Sequence, residues 1–356
     1  MVLHFFPYKS KHHLKAKIEE FSKLNPLDDK RFVLYGADKK LPLSLELGTI
    51  EKELIYCSGW FDIFRIFLKY GRMKDNKLIL HGYSIVFLVL SALSFFRAKK
   101  MWVVWGSGMY HKKDNFKRTI EFYLKRFLYN RLHKINCMLI GDAKILKNKF
   151  EVRPDKVFLI PYKLRPHKIF SGEEISVKMR KPVTEILVGN QANRHHNHIQ
   201  ILKLLSKFKD ENIMIHLFLN YPKNEVYVKE IMEEGMNIFK DKINFITEML
   251  TPHEYLDVMK RIHITILDVE KQTGLAAIYK TIDYGGVVFL SKVGLNKEWL
   301  DYLNIKSKSI EEINLMESIG ELNFLSLEER LQNIDKRIAY FDIERIRKEW
   351  THFLND

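Results

Sequence analysis

Two stretches of this sequence bring together the residue types that hold phosphate. In ILVGNQANRHHNHIQIL (186–202) an apolar run stops at Gly189-Asn190, a polar loop follows, and an amphipathic helical pattern begins. Such a strand-to-helix turn offers backbone N–H groups and the positive helix end to an anion, and Arg194 can add a bidentate contact. The plainer reading is an ordinary βα turn capped by Asn193. In DVEKQTGLAAIYKTIDYGGVVFLS (268–291) the same order recurs, with Lys271, Gln272, Thr273 and Gly274 between strand and helix. Phosphates could meet Lys271 and the backbone amides there. His195, His196 and His198 lack metal-ligand spacing and an accompanying carboxylate, and Asp268-Val269-Glu270 is a single acidic pair, so no metal and no cofactor is expected.

In the first half, LILHGYS (78–84) puts His81 at the end of an apolar run, where an imidazole could take a proton from an acceptor hydroxyl. MWVVWGSGMY (101–110) ends another run with Trp105, Gly106 and Tyr110, whose rings suit a sugar face or, equally, a packed core.

The elements that carry these residues follow from short apolar runs. FVLYG (32–36), LIYCSG (54–59), LILHG (78–82), MWVVWG (101–106) and MLIG (138–141) read as five buried parallel strands, because apolar character is continuous and glycine stands at each carboxyl end. Helix-length segments, including 84–96 and 115–134, lie between them. The stretch 161–182 loses periodicity and reads as a linker. EILVGN, IMIHLFLN, INFITE, ITILDV and GVVFLS then alternate with helical stretches near 194–208, 224–239, 252–262 and 274–284. The expected fold is α/β, with two Rossmann-like doubly wound domains, residues 1–170 and 183–326, facing a cleft. Residues 327–356 read as one amphipathic helix able to return to the first domain.

Composition narrows the classes further. With 356 residues, 46% hydrophobic and 13% aromatic, the chain supports two cores and is not disordered. Cys57 and Cys137 are far apart, as in a reducing compartment. The longest apolar stretch, 84–96, has 13 residues against roughly 20 for a span, so neither a transmembrane helix nor a signal peptide is expected. The net charge of +15 is concentrated: 97–168 holds 19 Lys or Arg against 5 Asp or Glu. Within it, Phe116, Ile120, Tyr123, Leu124 and Phe127 recur at helical spacing among basic residues, which suits an anionic membrane surface better than nucleic acid, since no RNA-binding signature accompanies the charge.

These motifs together resemble glycosyltransferase family 56, the 4-acetamido-4,6-dideoxygalactose transferases of enterobacterial common antigen synthesis. The resemblance is carried by His81-Gly82, the W-x-x-W-G run before Tyr110, VGN with Arg194 and His198-Ile199, YPKNEVY (221–227), Glu248, Tyr255 and KQTG (271–274), in the family's order. It implies a GT-B fold and transfer of a sugar, without metal, from a thymidine diphosphate (TDP) donor to an undecaprenyl-diphosphate-linked oligosaccharide. It implies donor binding in the second domain by Gly189, Asn190, Arg194, His198, Tyr221, Glu248, Lys271, Gln272, Thr273 and Gly274. Acceptor binding in the first domain falls to Trp105, Gly106 and Tyr110, with His81 as base, in a cytoplasmic protein attached to the inner face of the cell membrane. Gln191-Ala192-Asn193 and Thr273 depart from the family pattern where donor specificity could be set. Tyr279 stands near the place where many GT-B enzymes carry a ribose-binding glutamate, which suits a deoxyribose donor. The rival readings are a basic RNA- or membrane-binding protein without catalysis, and a GT-B-type nucleotide-sugar epimerase.

Overall fold

The structure, a computed structural model, describes residues 1–8, 11–23, 29–36, 52–106, 109–110, 115–161, 168–222 and 224–355. Residues 162–167 of the expected linker, Lys223 of YPKNEVY and parts of the basic region lie outside them. The chain divides into two units, Met1–Pro166 with Phe341–Asp356, and His167–Tyr340.

The first unit contains β1 (Val2–Pro7), α1 (Lys11–Ser22), β2 (Lys30–Tyr35), β3 (Leu54–Cys57), α2 (Trp60–Ile66), β4 (Lys77–His81), α3 (Ile85–Ala92), β5 (Lys99–Val103), α4 (Phe116–Asn130), β6 (Lys134–Cys137), α5 (Ile140–Asn148) and β7 (Val157–Leu159). Among the described residues the seven strands are all parallel, in the order β3-β2-β1-β4-β5-β6-β7. Strand β1 (VLHFFP) runs through the middle of the sheet, and its alternation sends Leu3 and Phe5 to one buried face and Val2 and Phe6 to the other. The run MLIG falls one step late: the ladder takes Lys134–Cys137, and Ile140 already opens α5. The apolar run was broken by Asn136, buried in β6, whose side chain bonds both backbone groups of Ile160, at 3.0 and 2.8 Å.

The second unit contains α6 (Gly172–Met179), β8 (Thr184–Val188), α7 (His198–Leu205), β9 (Ile213–Phe218), α8 (Glu225–Phe239), β10 (Ile243–Ile246), α9 (Pro252–Arg261), β11 (Ile264–Leu267), α10 (Leu275–Asp283), β12 (Val287–Leu290), α11 (Leu295–Tyr302), β13 (Lys308–Ser309), α12 (Ile319–Leu322) and α13 (Leu327–Tyr340). Its six strands are again all parallel, ordered β10-β9-β8-β11-β12-β13. The stretch read as a linker contains α6, started by a capping box in which Ser171 and Glu174 bond each other's backbone N–H.

The expected single tail helix is two. Helix α13 packs on its own unit, where buried Arg330 donates to the Gly285 carbonyl and buried Arg337 pairs with Asp283 at the end of α10. After Phe341-Asp342, α14 (Ile343–Asn355) buries Ile346, Trp350, Phe353 and Leu354, one helical face, in the core of the first unit.

Candidate active site

In each sheet the strand order reverses once, between β1 and β4 and between β8 and β11. Chains leaving neighbouring strands there diverge to opposite faces, which opens a crevice at the carboxyl ends. Both phosphate-type turns leave from the second of these points.

Strand β8 runs into Gly189, whose N–H donates to Ile266 of β11 at 3.0 Å and whose φ is +69°. A Cβ at Gly189 would stand 2.2 Å from His198 Nε2, so only glycine fits against that imidazole. His198 is buried, its Nδ1 lies 3.2 Å from the Tyr227 hydroxyl, and its Nε2 has no partner among the described residues. Burial, with a smaller push from His196, lowers its pKa to about 3 and keeps it neutral.

Strand β11 continues into the loop 268–274. Three bonds hold that loop: Asn197 Nδ2 to Asp268 Oδ2 at 2.8 Å, Leu295 N–H to the Glu270 carbonyl at 2.9 Å, and Asn296 Nδ2 to the Thr273 carbonyl at 2.7 Å. Gly274, at φ +71°, caps α10, and a Cβ on it would lie 2.9 Å from Asn190 Oδ1. Gly189-Asn190 and Gln272–Gly274 are therefore one place in space. Asn190 Oδ1, Gln272 Oε1 and Asn296 Oδ1 are buried there without a hydrogen-bond partner among the described residues, each at a cost of about 1–3 kcal/mol until a ligand or water pairs it. Lys271 is exposed beside them.

The remaining expected donor residues spread outward. Tyr221, exposed, follows β9, and its carbonyl accepts from Ala192 N–H at 2.7 Å, tying its turn to the Gly189 loop. Glu248, exposed, lies beyond β10, its carbonyl accepting from Asn220 at 3.1 Å. Arg194 is exposed, its guanidinium paired with Glu230 at 2.6 Å and 4.6 Å from the Tyr227 ring centre. The Tyr279 hydroxyl accepts from Trp299 Nε1 at 2.7 Å in the packing of α10 on α11. Asn197 and Asn296 escaped sequence reasoning, and Tyr227 was visible only as the end of YPKNEVY, because each acts on a group far along the chain.

In the first unit His81 ends β4 at the switch point, as its sequence suggested, but its side chain turns into the sheet's aromatic layer. It is wholly buried, stacks on Phe6 at 4.1 Å and 10°, and sets Nε2 2.9 Å from His4 Nδ1. Burial first, then His4 and Lys17, push its pKa well below the ordinary value, and burial followed by Lys30 lowers His4 to about 3. The residue expected as base thus stands in the aromatic core, with its ring stacked on Phe6 and its Nε2 against His4. The edge above it is built from Gly82, at φ +82°, against the Trp105 ring, where a Cβ would sit 3.2 Å away. Lys17 Nζ lies 4.1 Å from the centre of that ring, and burial lowers its pKa to about 7 against a raising effect of Glu20. Gly106 follows at φ +81°, and the Tyr110 hydroxyl donates to buried Asp142 Oδ1 at 2.8 Å. Trp105, Gly106 and Tyr110 thus share one edge of the sheet, with Lys17 and Asp142 as partners the sequence did not announce.

Among the described residues no group of three His, Cys, Asp or Glu side chains could hold a metal ion, and no helix is long and apolar enough to cross a membrane.

Comparison with known proteins follows the same architecture. The profile of the family described as 4-alpha-L-fucosyltransferase glycosyl transferase group 56 matches residues 63–356. Among solved structures, the Anabaena protein Alr3699/HepE in complex with UDP is similar over 99% of each chain, with 12% identity and a TM-score of 0.72. A glycosyltransferase from Rickettsia africae ESF-5 is similar over 99% of this chain and 97% of that one, at 12% identity and 0.69. The lipopolysaccharide outer core galactosyltransferase WaaB in its apo form is similar over 99% of each chain, at 10% identity and 0.66. At such identities the likeness is one of fold, and that fold is the GT-B class.

Proposed function

Since the chain belongs to glycosyltransferase family 56 and is a glycosyltransferase, we propose that it moves a 4-amino-4,6-dideoxy hexose from a TDP-linked donor to a polyprenyl-diphosphate-linked oligosaccharide. The reaction would take place at the cytoplasmic face of the cell membrane, in surface polysaccharide synthesis. The second unit would hold the donor and the first the acceptor.

The observation that carries the reading is the meeting of the two glycine turns at the β8–β11 switch point, with Asn190 Oδ1 2.9 Å from where a Gly274 Cβ would be. A diphosphate laid there faces backbone N–H groups, the positive end of α10 and the Lys271 ammonium. In the transfer, the bond from the sugar's anomeric carbon to the diphosphate breaks, the acceptor oxygen bonds to that carbon, and the acceptor proton passes to the departing diphosphate or to water. Negative charge grows on the departing diphosphate, and donors fixed in advance stabilise it without reorganising. The three bonds that hold loop 268–274 supply that fixity. Arg194 can add a contact from its remaining donors or by leaving Glu230, which costs little for an exposed pair.

The first unit contributes the Trp105 ring, Gly106 and Tyr110 as an acceptor edge, and the basic region 97–168 as attachment to anionic membrane. A melting series with TDP, UDP and GDP at equal concentration tests the donor. TDP is expected to raise Tm most; a rise with UDP or GDP but none with TDP removes the thymidine assignment.

A further inference from the structure

Helices α2, α3 and α4 lie side by side on one face of the first unit's sheet, and each shows apolar side chains on both its faces. Inward, Ile63 and Ile66 of α2, Phe87 and Leu88 of α3, and Phe122 and Leu128 of α4 fill the core. Outward, α2 presents Trp60 and Phe61, α3 presents Ile85 and Val89 with Leu93 and Phe95 just beyond it, and α4 presents a full stripe from Phe116 to Phe127. Trp60 is 65% exposed and Phe116 81%. A helix on a water-facing surface normally turns polar residues outward, so three adjoining helices that do otherwise mark a covered surface.

Cations are set among these rings. Arg65 lies 4.6 Å from the Phe61 ring centre and Arg131 4.9 Å from that of Phe127. Tyr123, Arg126, Phe127, Asn130 and Arg131 line a shallow cavity of about 380 Å³ on α4. On the helices themselves α2 has Arg65 with Asp62, and α4 with its C-cap has Lys117, Arg118, Lys125, Arg126 and Arg131 against Glu121. A second copy of this chain would press those cations against their own kind. An anionic lipid surface offers what the face lacks: acyl chains for the rings and phosphates for the cations.

We infer that the outer faces of α2, α3 and α4 form one bilayer-inserting plane, in which α2 and the α3 segment, both outside the basic region 97–168, supply apolar insertion, and α4 supplies insertion together with an arginine-lined headgroup cavity. The inference rests on the reading that the acceptor is lipid-carried, and it deepens that reading from charge attraction to insertion.

The test uses the full chain with vesicles of phosphatidylcholine alone and with one third phosphatidylglycerol. Trp102, Trp299 and Trp350 are fully buried and Trp105 is half-buried, so the part of a blue shift of tryptophan emission on anionic vesicles that is lost in Trp60→Ala reports Trp60. We expect sedimentation with anionic vesicles, a blue shift, and retention of part of the binding in 0.5 M salt. Trp60→Ala/Phe61→Ala is expected to lower vesicle partitioning about fivefold or more, with Tm unchanged and transfer to a water-soluble short-chain acceptor unchanged. Partitioning of that double variant equal to the wild type, complete release of the wild type by 0.5 M salt, or a stable dimer that ignores vesicles would each overturn the inference. Vesicle insertion without any sugar transfer would remove the functional reading and leave the inserting plane standing; transfer to the soluble acceptor without insertion would do the reverse.

Discussion

Replacing Gly189 by alanine puts a methyl group where the structure has an imidazole. The backbone there is left-handed, at φ +69°, which costs an L-residue roughly 1–2 kcal/mol. The new Cβ would stand 2.2 Å from His198 Nε2 and 2.7 Å from Cδ2, so the buried ring must withdraw by more than about 1 Å to restore contact distance. Withdrawal breaks the 3.2 Å bond to the Tyr227 hydroxyl and leaves a second buried group unpaired, about 1–3 kcal/mol more. The sum, roughly 2–5 kcal/mol, corresponds to a fall in Tm of about 5–15 °C for a unit of this size. Urea unfolding of Gly189→Ala, His198→Ala and the double variant separates the two parts. Removing the imidazole relieves the overlap but not the backbone strain, so the double variant should be more stable than additivity predicts by about 1–3 kcal/mol. Strict additivity, or a Gly189→Ala protein within about 0.5 kcal/mol of the wild type, would refute the packing of His198 against this turn.

Acid should destabilise the protein early. His4 and His198, held near pKa 3 by burial, and His81, pushed well below the usual value, stay neutral when folded but take protons near pH 6.5 when unfolded. Their stabilisation is complete above about pH 6.5 and is lost as pH falls toward the folded values, by about 1.4 kcal/mol per pH unit for each ring. Urea midpoints at pH 7.5 and 5.5 measure this, and a flat profile contradicts the burial of all three. For Arg194→Ala we expect unchanged Tm, because the pair with Glu230 is exposed, and roughly tenfold weaker TDP binding by calorimetry. Unaltered affinity would leave Arg194 as a partner of Glu230 alone.

Much of the second unit could be read from its sequence, because its five main strands are short runs in which apolar residues outnumber single polar ones, and the two critical ones stop at polar, glycine-bearing turns. Parallel strands covered on both faces must look so. Three things resisted. Strand β6 is KINC, and its buried Asn136, satisfied by Ile160, interrupts the apolar signal. The capping box Ser171-Glu174 was present in the sequence, but the charged and proline-rich surroundings of α6 concealed the helix. For His81 the strand end was legible and the direction of the side chain was not. Alternation puts His81 on the same face as Ile79, but in a sheet buried on both sides parity does not say which face meets a ligand. The amide cluster at the donor turn was half visible: Asn190 and Gln272 stand in recognisable loops, whereas Asn296 reaches Thr273 across 23 positions.

The central claim is transfer of a sugar from a nucleotide diphosphate to a lipid-carried glycan. It is tested most directly by incubating the protein with TDP-, UDP- and GDP-linked sugars and a polyprenyl-diphosphate oligosaccharide, followed by mass spectrometry of the lipid fraction. The account predicts an acceptor heavier by one 4-amino-4,6-dideoxy hexose with the TDP donor, and release of TDP. A rearranged nucleotide sugar formed without any acceptor, or an unchanged glycan with every donor, would contradict it.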